Sequence, residues 1–190
     1  MDRASCARPA ATKAGGSGGT NTPPRLGLGD DWGPEPNSDD KEAFDAYWAA
    51  RREALPVDFH GDRIDPHEVK FVERFLNAGH TLSWIPRDRD SRKSTHDFMW
   101  LNHGPYEIEL KSTKAKYSTI RGQIMGAVKR AKVNHNVTKS RFIIDLGDQP
   151  LTAELREELT HYNLDRSLYK IKALWVMTQG ELEQINLRKK

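Results

Sequence analysis

Asp97, followed on the next predicted strand by Glu109 and Lys111, has the residue types and spacing that metal-assisted chemistry at a phosphate requires. In Glu107-Ile108-Glu109-Leu110-Lys111 the side chains alternate, so Glu107, Glu109 and Lys111 share one strand face while Ile108 and Leu110 point to the core. If Asn102-His103-Gly104 is the turn, the hairpin register sets Asp97 directly opposite Glu109, Cβ atoms about 5 Å apart. Opposed carboxylates repel and weaken a sheet unless a divalent cation lies between them. Two carboxylates, the Leu110 carbonyl and retained waters form an oxygen set suited to Mg2+, or to Mn2+. Lys111 would orient a water or neutralise charge building on a phosphate. The competing reading is a solvated hairpin face on which charges simply alternate.

The elements that must position these residues are legible from periodicity and punctuation. Ser38 to Leu55 reads as a helix with Phe44, Tyr47 and Trp48 at helical spacing, ended by Pro56. Asp65-Pro66 opens a second helix, Val69, Val72, Phe75 and Leu76 form its apolar stripe, and Gly79 ends it. Strands are expected at Thr81–Ile85, His96–Leu101, Tyr106–Ser112, Arg141–Leu146, Lys170–Thr178 and around Glu183–Leu187. Helices are expected at Thr119–Val133 and Leu151–Leu159. The class is α/β, a mixed β-sheet flanked by helices. Residues 1–37, rich in Gly, Pro, Ala, Ser and Thr, read as a disordered tail, 38–64 as a helix and linker, and 65–190 as the main domain.

Charge is uneven along the chain. Residues 1–65 hold 8 Lys/Arg against 12 Asp/Glu, and residues 66–190 hold 22 against 15. Lys111 to Arg141 contains nine basic side chains, Lys114, Lys116 and Lys139 among them, and no acidic one. Such a stretch favours a polyanionic partner, against the plainer reading of a solvated basic face. On the 119–133 helix, with Ile120 at zero, the apolar stripe spans about 340° to 80°. Arg121, Lys132 and Lys129 fall at about 100°, 120° and 180°, an expected sheet-side edge for a phosphate backbone.

Other chemistry fares less well. No run approaches the roughly 20 apolar residues of a membrane helix, and Met1–Gly19 carries no secretory signal. The single cysteine, Cys6, lies in the tail, which excludes an internal disulfide and argues against thiolate metal ligation or a cysteine nucleophile. The seven histidines lack a paired metal spacing; His96 and His103 border the site, where they could assist proton transfer, against the plainer reading of loop or strand-edge histidines. Ala14–Gly19 is glycine-rich without a phosphate-cradling context. Trp84 and Trp100 read as core, and Trp32, in the tail, as an anchor for a partner.

Asp97 with Glu109-Leu110-Lys111, between an acidic and a basic helix, resembles the PD-(D/E)XK nuclease fold. The stretches His67-Glu68-Val69, Asn77-Ala78-Gly79-His80, His96-Asp97-Phe98, Tyr106 to Ser112, Tyr117 to Arg121, Ala127 to Lys132, Phe142 to Leu146 and Ile171 to Thr178 resemble the C-terminal toxin domain of CdiA-type contact-dependent inhibition effectors. The resemblance covers about residues 66–187. It implies a Mg2+-dependent endonuclease that cleaves tRNA, with a cognate immunity protein as partner. Asp97 and Glu109 would ligate the metal, Lys111 would act at the scissile phosphate, and Glu68 would be the auxiliary acid. Ser118 and Thr119, with Arg121, Lys129 and Lys132, would hold the RNA backbone. His96 stands where the fold's name implies Pro, and Arg130 and Lys132 stand where the family tends to show Gln. A DNA endonuclease with the same site and a non-catalytic nucleic-acid-binding module remain open alternatives, as does action in the cytoplasm or as part of an exported effector.

Overall fold

The computed structural model describes residues 27–88, 95–135, 137–164 and 168–189. The elements in chain order are α1 (Lys41–Glu53), α2 (Pro66–Asn77), β1 (Leu82–Trp84), β2 (Phe98–Trp100), β3 (Tyr106–Ser112), α3 (Tyr117–His135), β4 (Arg141–Asp145), α4 (Ala153–Thr160), β5 (Ala173–Met177) and β6 (Leu182–Ile185). The strands form one six-stranded sheet in sequence order. β1, β2 and β3 make an antiparallel meander, β3, β4 and β5 run parallel, and β6 returns antiparallel to β5. This is the α/β class with a mixed sheet and flanking helices that the sequence predicts.

Local chemistry explains the boundaries. Asp65 and Glu68 form a capping box at the start of α2, with Pro66 as its first residue. Gly79, at φ +83°, takes the left-handed turn that ends α2. The β2–β3 connection is held by Asn102. Its Oδ1 accepts from the Thr81 amide and the Trp100 Nε1, each at 3.0 Å, and its Nδ2 donates to the Gly79 carbonyl at 2.9 Å. The last ladder pair is Trp100↔Tyr106, so the connection is longer than the expected 102–104 turn while the expected register is kept.

The sheet is covered on opposite faces in its two halves. Over β1–β3, α1 and α2 bury Trp84, Phe98, Trp100, Ile108 and Leu110 among Val69, Phe71 and Phe75. Trp84 and Trp100 are core residues, as predicted. Over β4–β6, on the other face, α3 and α4 bury Phe142, Ile144, Leu174 and Val176 among Ile120, Ile124, Leu155 and Leu159. On this second face the β1–β3 half stays open, with Ser83 and Glu107 exposed and Met99 half-buried.

The expected domain boundaries need correction in part. Residues 27–37 belong to the fold. Leu28 packs on the core, its amide and carbonyl bond the Asn77 side chain at 2.9 and 2.7 Å, and Glu35 pairs with Lys70 at 2.7 Å. Trp32 contacts Tyr47 within the chain, ring centroids 6.1 Å apart. The 38–64 segment is likewise joined to the main unit, through a buried Arg51–Glu73 pair between α1 and α2. Glycine and proline mark the ends of elements, and apolar anchors between them decide what packs. The rest of the expected tail, 1–26, lies outside the described residues.

Candidate active site

β3 is the keel of the site. Its parallel pairing sets Glu109 beside Phe142 and Lys111 beside Ile144, so both point to the face that α3 covers farther along the sheet. Lys111, 23% exposed at its side chain, sits at the border of the open half, and Glu109 is buried at 5%. The alternation expected for Ile108 and Leu110 holds, since both are buried on the opposite face. Glu109, however, is covered by side chains and does not lie on a solvated face.

Asp97 departs from the expected cross-strand pair. The ladder stops at Phe98↔Ile108, and Asp97 lies in a bend just outside it. Its amide donates to the Ile108 carbonyl at 3.0 Å, and its own carbonyl accepts from Ile85 at 3.1 Å. The side chain turns back across the hairpin, where Oδ2 accepts from the Leu110 amide at 2.7 Å. A carboxylate thus fills a ladder position that a backbone carbonyl would otherwise take. Burial, and then the Glu109 charge, push Asp97 up to about 6, against the opposing pull of Lys111, the Leu110 amide and Lys139. The two carboxylates do share one electrostatic site, though not through a regular pair.

Positive charge meets them. The Lys111 Nζ lies 2.7 Å from Glu109 Oε1 and donates to the Leu110 carbonyl at 2.7 Å. The other carboxylate oxygen, Oε2, bonds the Lys139 ammonium. Lys139 comes from the segment just before β4 and is itself buried. In the sequence it is one cation among nine between Lys111 and Arg141. Its position two residues ahead of a strand buried on both faces was the available signal. His96 also belongs here. It is buried, its Nδ1 lies 3.3 Å from Glu107 Oε2, and burial holds its pKa below the usual histidine value despite Glu107. His103 does not belong, because it stacks on Trp100 at 4.4 Å.

Glu68 has separate duties. Oε2 accepts the Asp65 amide at 2.9 Å as the capping-box partner, and Oε1 takes Arg87 at 2.6 Å. Among the described residues no group of three or more His, Cys, Asp or Glu side chains converges as metal ligands, so Glu68 is not drawn into a cluster with Asp97 and Glu109. The oxygens of Asp97, Glu109 and the Leu110 carbonyl nevertheless fit a hard cation. Two of them accept hydrogen bonds from the Lys111 ammonium.

The basic residues around α3 divide. Lys114, Lys116, Ser118, Thr119, Lys129 and Lys132 are exposed, and Arg121 is half-buried. A parallel β3–α3–β4 unit with its right-handed connection turns the flank bearing Gln123, Ala127 and Arg130 toward the hairpin. Arg121, Lys129 and Lys132 fall on the other flank, toward α4, with Met125 and Val128, which pack on the α3–α4 cluster. The expected sheet-side edge is therefore the edge away from Glu109. On the near flank, the Gln123 Oε1 is buried without a hydrogen-bond partner.

No helix among the described residues is long and apolar enough to cross a membrane. Comparison of the chain with protein-family models, with curated proteins and with solved structures found no match.

Proposed function

We propose that this chain is a Mg2+-dependent endonuclease of the PD-(D/E)XK type, acting on tRNA or other structured RNA as a toxin effector domain. The observation that carries the reading is the grip of Glu109 Oε1 and the Leu110 carbonyl on the Lys111 ammonium, with the Asp97 carboxyl bonded to the amide of the same Leu110. The oxygens that would hold a cation already hold one, and the carboxylate beside them binds its proton more tightly than usual because it is buried and because the Glu109 charge lies close by. The element order α2-β1-β2-β3-α3-β4, with the carboxylates on β3 and the bend before β2, also supports it.

Asp97, Glu109 and the Leu110 carbonyl would hold the metal, which supplies charge stabilisation at the phosphate and a more acidic water. Lys111, released from those oxygens, neutralises the charge gathering on the phosphate. Lys114, Lys116, Ser118 and Thr119, exposed at the start of α3 just past β3, position the backbone without reading sequence.

A second reading has its own observation. Both Glu109 oxygens are already satisfied by lysines, as they would be in a non-catalytic nucleic-acid-binding module. One experiment separates the readings: total tRNA and plasmid DNA are each incubated with the protein in Mg2+ and in EDTA. Discrete tRNA fragments that vanish with EDTA support the ribonuclease, and cleavage of plasmid alone moves the substrate to DNA. Binding without cleavage in either case favours the module.

A further inference from the structure

Glu109 carries one negative charge and touches two ammonium groups, and these two are not equivalent. Lys111 is 23% exposed at its side chain, follows Glu109 by two residues and can swing to solvent. Lys139 is 7% exposed, reaches Glu109 from a segment thirty residues away and has the Glu109 carboxylate as its partner. A buried ammonium without a counter-charge is costly, so Lys139 is committed to that carboxylate. Oε2 is therefore the fixed oxygen and Oε1 the exchangeable one.

We propose that Lys139 is a positioning residue, a resident counter-cation that fixes Glu109 and holds the affinity of the Asp97–Glu109 site for a divalent cation low until a phosphate-bearing strand arrives. The proposal rests on the reading of Asp97 and Glu109 as metal-holding residues. With both carboxylates ionised and both lysines in place, the four side chains carry no net charge. After Lys111 leaves, the remaining net charge is −1, half of what two free carboxylates would offer. Repulsion from Lys139 then weakens cation binding. A phosphate restores the missing negative charge, so cation and strand each tighten the other's binding.

Mn2+ alone, titrated calorimetrically into the full chain, tests this with Lys139→Gln, Lys139→Ala, Lys139→Arg and Asp97→Asn beside the wild type. Both charge-removing variants are expected to bind Mn2+ at least 10-fold tighter than wild type, about 1.4 kcal/mol. Lys139→Arg, which keeps the charge, is expected to stay within about 2-fold, and Asp97→Asn to bind at least 10-fold more weakly. If a charge-removing variant is unfolded without metal, millimolar Mn2+ is expected to restore its fold. Equal or weaker Mn2+ binding by folded Lys139→Gln and Lys139→Ala, or a failure of Mn2+ to refold them, overturns the proposal and leaves Lys139 a structural cation. If wild type, Asp97→Asn and the Lys139 variants all fail to bind Mn2+, the metal-site reading itself falls.

Discussion

Two buried ion clusters lie on opposite sides of the sheet, and they are built to different standards. Between α1 and α2, Arg51 meets Glu73 in a two-pronged pair, with Nε to Oε1 at 2.8 Å. The same guanidinium donates to the Tyr47 hydroxyl at 2.9 Å and lies over the Trp48 ring at 4.8 Å. Gly29 closes the cluster: its φ is +90°, and a Cβ there would come within 3.0 Å of both Arg51 Nη2 and Glu73 Oε2. Charge is balanced one to one and leaves no room for a ligand. Around Glu109, by contrast, two lysines share one carboxylate, a second carboxylate stands close by with a raised pKa, and the border is open. The first cluster joins two helices. The second holds more opposing charge than a joint needs, which is what the proposed exchange of Lys111 for a metal ion would require.

The sharpest way to break this contrast is Lys111→Met. We expect Mg2+-dependent cleavage of tRNA to fall at least 10³-fold, about 4 kcal/mol of transition-state stabilisation. The melting temperature should shift little, because Lys139 still neutralises Glu109. Full activity in that variant would reduce the Glu109 cluster to a charged surface like any other. Arg51→Met should do the opposite. Urea unfolding is expected to show a loss of about 3–5 kcal/mol, since Glu73 is left buried and unpaired, while cleavage per folded molecule stays unchanged. A folded but inactive Arg51→Met protein would place the α1–α2 pair inside the working site.

A smaller effect follows from Asp97. Its pKa is raised from 3.8 to about 6 in the folded chain, so its favourable contribution is fully present below about 3.8 and lost as pH rises through about 6. Asp97→Asn should therefore stabilise the metal-free protein by ~1–3 kcal/mol at pH 8 and make no difference near pH 3, measured by urea titration at each pH. A constant difference across that range would remove the raised Asp97 pKa, and with it the buried carboxyl beside Glu109, from the account. The smallest effect is expected of Lys129→Ala with Lys132→Ala, on the flank of α3 turned from the hairpin. The salt slope of RNA binding should change by less than about 0.5, with cleavage at low salt changing less than about 3-fold; a fall of about 1–2 would bring both lysines into contact with phosphates.

The sheet was readable in the sequence because its signals are local. Tyr106–Ser112 begins and ends at the predicted residues, and the hairpin register follows from a turn whose Asn102 organises three neighbours. The alternation that puts Glu107, Glu109 and Lys111 on one strand face is readable for the same reason, but the direct pairing of Asp97 with Glu109 is not met, because the ladder stops at Phe98 and Ile108. What escaped depends on contacts distant in sequence. Lys139 is an ordinary lysine until the parallel pairing of β3 with β4 brings it to Glu109. The bend at Asp97 depends on Ile85 and Leu110 together. The α3 flanks could be sorted by angle, but choosing the near one needed the location of α4. Glu68 was placed by its acidity, although its role at the start of α2 was already encoded in Asp65-Pro66-His67-Glu68.

The covering of the sheet on alternate faces has a consequence for amide hydrogen exchange. Outer strands β1 and β6 each have one partner, and β1 and β2 each have one face open to water. β4 is paired on both edges and buried on both faces, with Phe142, Ile143 and Ile144 all at 0% exposure. The amides of β4 can exchange only when both helical layers part, so their exchange should report global opening. Those of β1 and β2 should exchange through smaller local excursions that leave the α3–α4 layer in place. The border between slow and fast deuteration would then run along β3, through the strand that carries Glu109 and Lys111.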